Sequence, residues 1–143
     1  PAWSRAGLPN YQYLQCRDAG VKFICVDPFY TPTARALTDD YIPIRPGTDS
    51  AMLLGMAYVL ISQDDPSTNP LIDWDFLERC TIGFDADHMP EGADPKDNYK
   101  DYVLGTYDGV PKTPEWASEI CGTPAKDIER TGRSCWEVRN GLR

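Results

Sequence analysis

Residues 22–49 read KFICVDPFYTPTARALTDDYIPIRPGTD, and the two apolar runs inside this stretch decide the fold. The first, Phe23-Ile24-Cys25-Val26, is short, continuous and partly β-branched, the composition of a strand covered on both faces in a parallel sheet. It stops at Asp27-Pro28. Pro28 has no N–H for a ladder and biases Asp27 away from the helical region, so the chain must leave the sheet there. In open α/β sheets the crevice outside the carboxyl ends of the strands takes nucleotides, and a carboxylate there can accept both hydroxyls of a ribose. The second run, Tyr41-Ile42-Pro43-Ile44, reads as a short strand, and Pro43 in its middle implies an edge position or an irregular segment.

Beyond that run, Pro46-Gly47 is a turn pair, and Thr48 or Asp49 is placed to cap the helix predicted over 49–63. Either residue could instead face a ligand. A loop carboxylate can take the paired N–H groups on the Watson–Crick edge of guanine, and free amides at a helix start suit phosphate. Residue type alone favours the cap. In the loop after Asp27-Pro28, Phe29 or Tyr30 could stack on a base and Thr31 could donate its hydroxyl, or the loop could be a surface turn with an aromatic packed inward. Thr33 is expected to cap a short helical turn running to Leu37.

Upstream, PNYQYLQCRDA at 9–19 has helical spacing and stops at Gly20. Helix, glycine and strand make half a βαβ unit, which favours a parallel sheet over a helical bundle. In the helix over 49–63, Met52, Met56 and Val59 form one line and Leu53, Ala57, Leu60 and Ile61 its neighbour. So wide a stripe predicts a helix sandwiched between the sheet and another layer, with Gly55 costing about 1 kcal/mol unless close packing needs it. Asp73 should cap a helix that carries Phe76, Leu77 and Cys80 inward and ends at Gly83. Residues 84–112 read as an irregular excursion, with His88 an exposed loop residue. Thr113-Pro114 and Thr123-Pro124 each signal a helix start, and Trp116 and Ile120 share a face expected to be buried. From 129 to 143 the chain reads as a tail, either helical or disordered, with Gly132 weakening the helix.

The chain has 143 residues, enough for a single core. Its net charge of −8 argues against non-specific binding to nucleic acid or anionic membrane. No apolar run approaches the length of a membrane span. Five cysteines without a CxxC pair, and one histidine, make a zinc or cluster site an unsuitable reading. Cys25, Cys80 and Cys121 are expected to pack as small apolar groups. The absence of an initiator methionine at Pro1 suggests a domain excised from a longer protein.

VDPFYTPTA, then DDYIPIRPGTDSAMLLGMAYVLI, then YKDYVLG and KTPEWASEI, resemble in order and spacing the catalytic subunit of the dimethyl sulfoxide reductase family of molybdenum enzymes. The resemblance covers roughly residues 1–128. It implies an α/β, Rossmann-like three-layer fragment with a short, mainly parallel sheet flanked by helices. It also implies a role in holding a guanosine end of bis(molybdopterin guanine dinucleotide), the cofactor that carries molybdenum. By the same resemblance, Asp27-Pro28 and Gly47-Thr48-Asp49 contact a guanosine, with Asp27 on the ribose and Asp49 on the guanine edge. Ser4 and Arg5, in a loop where the family usually has threonine, would lie near a cofactor phosphate. Phe29 stands where an arginine is common. The family's molybdenum ligand and iron–sulfur cysteines precede this region, so the segment should hold no catalytic residue and be inactive alone. The implied partners are the rest of the catalytic subunit, an iron–sulfur electron-transfer subunit and a membrane anchor subunit. The implied location is the outer face of the cytoplasmic membrane or the periplasm, reached by the twin-arginine route.

Two rival classes are weaker. A non-catalytic nucleotide-binding or interaction domain of similar fold, and an NAD-dependent enzyme, would each be expected to carry a G-x-G-x-x-G or P-loop motif, and neither motif occurs.

Overall fold

The computed structural model describes residues 8–141, with side chains from 11 to 134. The chain forms two compact units, Pro1–Gly47 and Thr48–Arg143.

The first unit holds α1 (Leu8–Asp18), β1 (Ile24–Val26), α2 (Pro32–Leu37) and β2 (Asp40–Ile42). β1 and β2 pair in parallel, with Ile24 opposite Asp40, Cys25 opposite Tyr41 and Val26 opposite Ile42. A parallel pair needs a crossover, and α2 supplies it. The unit is therefore mixed α/β with a short parallel sheet, as the sequence predicts, although two strands do not amount to a three-layer Rossmann-like sheet. β2 ends at Ile42, so Pro43 follows the strand and does not interrupt it; a residue without an N–H cannot continue the ladder. Asp39 braces the strand starts by accepting the Phe23 N–H at 2.8 Å. β1 is not covered on both faces: Ile24 and Val26, two residues apart and so on one face, are 36% and 39% exposed.

Thr31, and not Thr33, caps α2. Its hydroxyl oxygen accepts from the Ala34 N–H at 3.2 Å, and Pro32 takes the first helical turn, where its missing N–H costs nothing.

The second unit is built on α3 (Asp49–Gln63), packed against α5 (Tyr99–Leu104), α6 (Pro114–Cys121) and α7 (Ala125–Gly141). Ala51, Met52, Gly55 and Val59 of α3 are buried, as are Val103, Ala117, Cys121 and Ile128. Leu53 is 60% exposed, so the apolar stripe is not covered all round as its width suggested. A Cβ on Gly55 would stand 2.8 Å from the Ala117 Cβ and 3.1 Å from the Ile128 Cγ2; this glycine is a packing requirement. It also explains why α6 buries Ala117 and Cys121 and leaves Ile120 exposed; of the pair expected to be buried, Trp116 is half-buried and Ile120 is not. The smaller side chains face the close crossing. α7 runs through Gly132, where a Cβ would lie 3.3 Å from the Met56 carbonyl oxygen. The boundary expected at 128 falls inside this helix, and the side chains of 135–143 lie outside the described residues.

α4 (Trp74–Cys80) is capped by Asp73, whose carboxylate accepts the Phe76 N–H at 3.0 Å. It closes at Thr81 rather than Gly83. Phe76 and Cys80 are exposed, and no residue of α4 is fully buried, which corrects the inward placement. The stretch 84–112 is more ordered than its composition suggests: turns at Ala86–His88 and Pro95–Asp97 lead into α5, capped by the buried Asn98.

Candidate functional site

Where β1 ends, Asp27 is held through three of its groups. Its N–H donates to the Ile42 carbonyl at 3.3 Å, extending the ladder by one bond. Its carbonyl oxygen accepts from the Tyr41 hydroxyl at 2.8 Å. Its Oδ1 accepts the Phe29 N–H at 2.9 Å across Pro28, an aspartate turn that directs the chain out of the sheet. A carboxylate has roughly four lone-pair positions, so this bond leaves most of its acceptor capacity for a diol. Asp27 is half-buried, while Phe29 and Tyr30 are 73% and 59% exposed. The Tyr30 ring meets the Tyr41 ring edge-on, with centroids 4.9 Å apart and planes at 76°. Burial, and after it the nearby Asp27 carboxylate, raises the Tyr41 phenol above its ordinary value, so Tyr41 stays a donor at neutral pH. Thr31 uses its oxygen on α2 and keeps its O–H to donate.

Asp27, Pro28, Phe29, Tyr30 and Thr31 thus form one turn, as the sequence suggests. Gly47 closes the first unit with φ of 75°. In the second unit Thr48 occupies the cap position of α3 without a side-chain cap bond. Asp49 is the first helical residue, exposed. The reading of Asp49 as a mere cap therefore does not hold; its charge instead suits the positive end of the helix. Ser4 and Arg5 lie outside the described residues.

Tyr41 is the participant that the sequence reading missed. The parallel register places it opposite Cys25, and Asp27 is two residues beyond Cys25, one past the end of β1, so extended backbone puts both side chains on one face. Period-two alternation assigns faces within each strand, but only the register shows which residues stand opposite one another. A separate cleft of about 260 Å³, lined by Tyr13, Phe23, Ile24, Cys25 and Leu37, contains none of the expected nucleotide contacts. Among the described residues no three His, Cys, Asp or Glu side chains converge to hold a metal ion, and no helix is long and apolar enough to cross a membrane.

No family model matches the chain. It is 40% identical over 131 residues to the dimethyl sulfoxide reductase DmsA of Escherichia coli (strain K12), covering 91% of this chain and 15% of that protein. It is 42% identical over 118 residues to the dimethyl sulfoxide/trimethylamine N-oxide reductase of Cereibacter sphaeroides, covering 82% of this chain and 12% of the relative. Among solved structures, acetylene hydratase from Pelobacter acetylenicus matches with a TM-score of 0.60 and 25% identity over 87% of this chain and 14% of the other. The chain thus spans about one seventh of the length of the proteins it matches. Reductases that are 40% and 42% identical align with 91% and 82% of the chain, and on these grounds the chain belongs to the dimethyl sulfoxide reductase family.

Proposed function

We propose that this chain is the segment of a molybdenum oxidoreductase that grips a guanosine end of bis(molybdopterin guanine dinucleotide). The observation that carries the reading is Asp27: a carboxylate at the carboxyl end of a parallel strand, fixed through its backbone and Oδ1 with acceptor capacity remaining. The residues suit the group. Asp27 would accept from the ribose diol, Phe29 or Tyr30 would lie against a base, and Thr31 would donate its hydroxyl. Asp49, which does not cap its helix, would accept from the guanine edge, with Gly47 and Thr48 beside it. Ser4 and Arg5 would serve a phosphate. Molybdenum, when bound, supplies the redox chemistry; this segment contributes anchorage and orientation and would be inactive alone.

The whole protein would reduce an S- or N-oxide or an oxo-anion, in keeping with the names of the relatives. In it the exposed Ile24–Val26 face would be covered as the short sheet is completed into a Rossmann-like one. An iron–sulfur subunit, a membrane anchor and twin-arginine export complete the proposal.

Equilibrium binding of GDP and ADP to the intact, cofactor-free protein tests it. GDP should bind more tightly than ADP, Asp27→Ala should weaken both, and Asp49→Ala should erase the preference for guanine. Equal affinity for the two nucleotides, unchanged by either substitution, would refute the proposal.

A further inference from the structure

We infer that Tyr41 is a positioning residue that holds the Asp27–Tyr30 turn in its ligand-presenting shape, an inference that rests on the guanosine reading above. The reason begins with Pro28. The peptide after Asp27 has no N–H, and the chain leaves the sheet at this point, so the Asp27 carbonyl lies at the margin of the ladder. Without a donor this carbonyl would be unpaired and the turn would lose one of its restraints. The Tyr41 hydroxyl supplies the donor at 2.8 Å. With the Asp27 N–H on Ile42 and Oδ1 on the Phe29 N–H, the residue is fixed on both sides of its Cα and at its side chain. Among the described residues Oδ2 is the polar atom of Asp27 without a hydrogen bond.

The same tyrosine sorts the two aromatic residues of the turn. Tyr30 is committed to the Tyr41 ring by the edge-on contact. Phe29, 73% exposed, has no ring partner among the described residues. Tyr30 therefore belongs to the scaffold, and Phe29 is the ring left to stack on a base.

The test measures GDP affinity of the intact, cofactor-free protein by calorimetry. Tyr41→Phe keeps the ring contact and removes the donor; p-aminophenylalanine at position 41 restores a donor at the same place. Tyr41→Phe should weaken GDP binding by about three- to tenfold, the range of one hydrogen bond, with a cooperative melt retained, and the amino variant should recover most of the loss. If Asp27→Ala weakens GDP binding while Tyr41→Phe binds like wild type, or if the amino variant recovers nothing, the Tyr41 inference is overturned and the guanosine reading stands. If wild type takes up no GDP, or Asp27→Ala has no effect, the guanosine reading fails and the role of Tyr41 falls with it.

Discussion

The Trp74 indole N–H donates to Asp64 Oδ2 at 2.7 Å, while Oδ1 of the same carboxylate accepts the backbone N–H groups of Leu71 and Ile72 at 2.7 and 2.9 Å. One side chain thereby ties the end of α3 to the start of α4 across a loop rich in proline and polar residues. Asp64→Ala leaves three donors without their acceptor and should cost about 2–4 kcal/mol. Asp64→Asn turns an N–H group toward either the indole or the backbone donors and should cost nearly as much. Urea denaturation checks both; a loss below about 0.5 kcal/mol, the range of an ordinary surface change, would show that the loop closes by other means.

Gly55→Ala is a case where helix propensity and packing oppose each other. Propensity favours alanine by about 1 kcal/mol, whereas the added Cβ would stand 2.8 Å from the Ala117 Cβ, and overpacking typically costs about 1–3 kcal/mol. The substitution should therefore lower the melting temperature. Shortening the opposing side chain in Gly55→Ala/Ala117→Gly should recover part of the loss, whereas a rise in the single variant would mean that α3 and α6 separate freely.

His88 Nδ1 lies 2.6 Å from Asp85 Oδ1, so the expected exposed loop histidine is instead half-buried and paired. The hydrogen bond to Asp85 raises the imidazole above its ordinary 6.5; burial opposes this, and the charges of Asp85, Glu78 and Asp87 add to the rise. The same bond lowers Asp85 below its ordinary 3.8. Because the folded His88 holds its proton more tightly, its contribution is complete below pH 6.5 and is lost as pH rises through the higher folded value. The Asp85 contribution is present above pH 3.8 and is lost as pH falls through the lower folded value. The pair thus stabilises the 85–88 turn most between these limits. An NMR titration of the His88 ring should give a midpoint above 6.5 in wild type and a lower one in Asp85→Asn; identical midpoints would remove the pair from the account.

Much of the turn at Asp27 was legible because proline chemistry is local. Pro28 ends a strand by lacking a donor, and Thr113-Pro114 opens α6 for the same reason, with Thr113 accepting the Trp116 N–H at 3.2 Å. That rule also covers Thr31-Pro32, where the structure puts the cap of α2 two residues earlier than Thr33. What the chain does not announce locally is which of two neighbouring helix faces meets another helix. Ala117 and Cys121 are buried in place of Ile120 because Gly55 brings the helices close, a property of the pair and not of α6. Loop pairings were hidden for a similar reason. Lys112, a residue type that belongs in water, has a side chain only 3% exposed; it bonds Asp108 at 2.6 Å and lies 4.2 Å from the Tyr102 ring centre. Such a clasp depends on backbone angles between 105 and 112 that composition does not specify. Tyr41 was hidden by register, which cannot be known until the strands are paired.

The central claim is that Asp27 and Asp49 anchor a guanosine cofactor, and its most direct test is the cofactor content of the intact protein. GMP released by acid and bound molybdenum would be measured per polypeptide in wild type and in Asp27→Ala/Asp49→Ala. The account predicts both GMP and molybdenum in the wild-type protein and a marked loss of both in the folded double variant. A double variant that retains the full wild-type complement of GMP and molybdenum would contradict it.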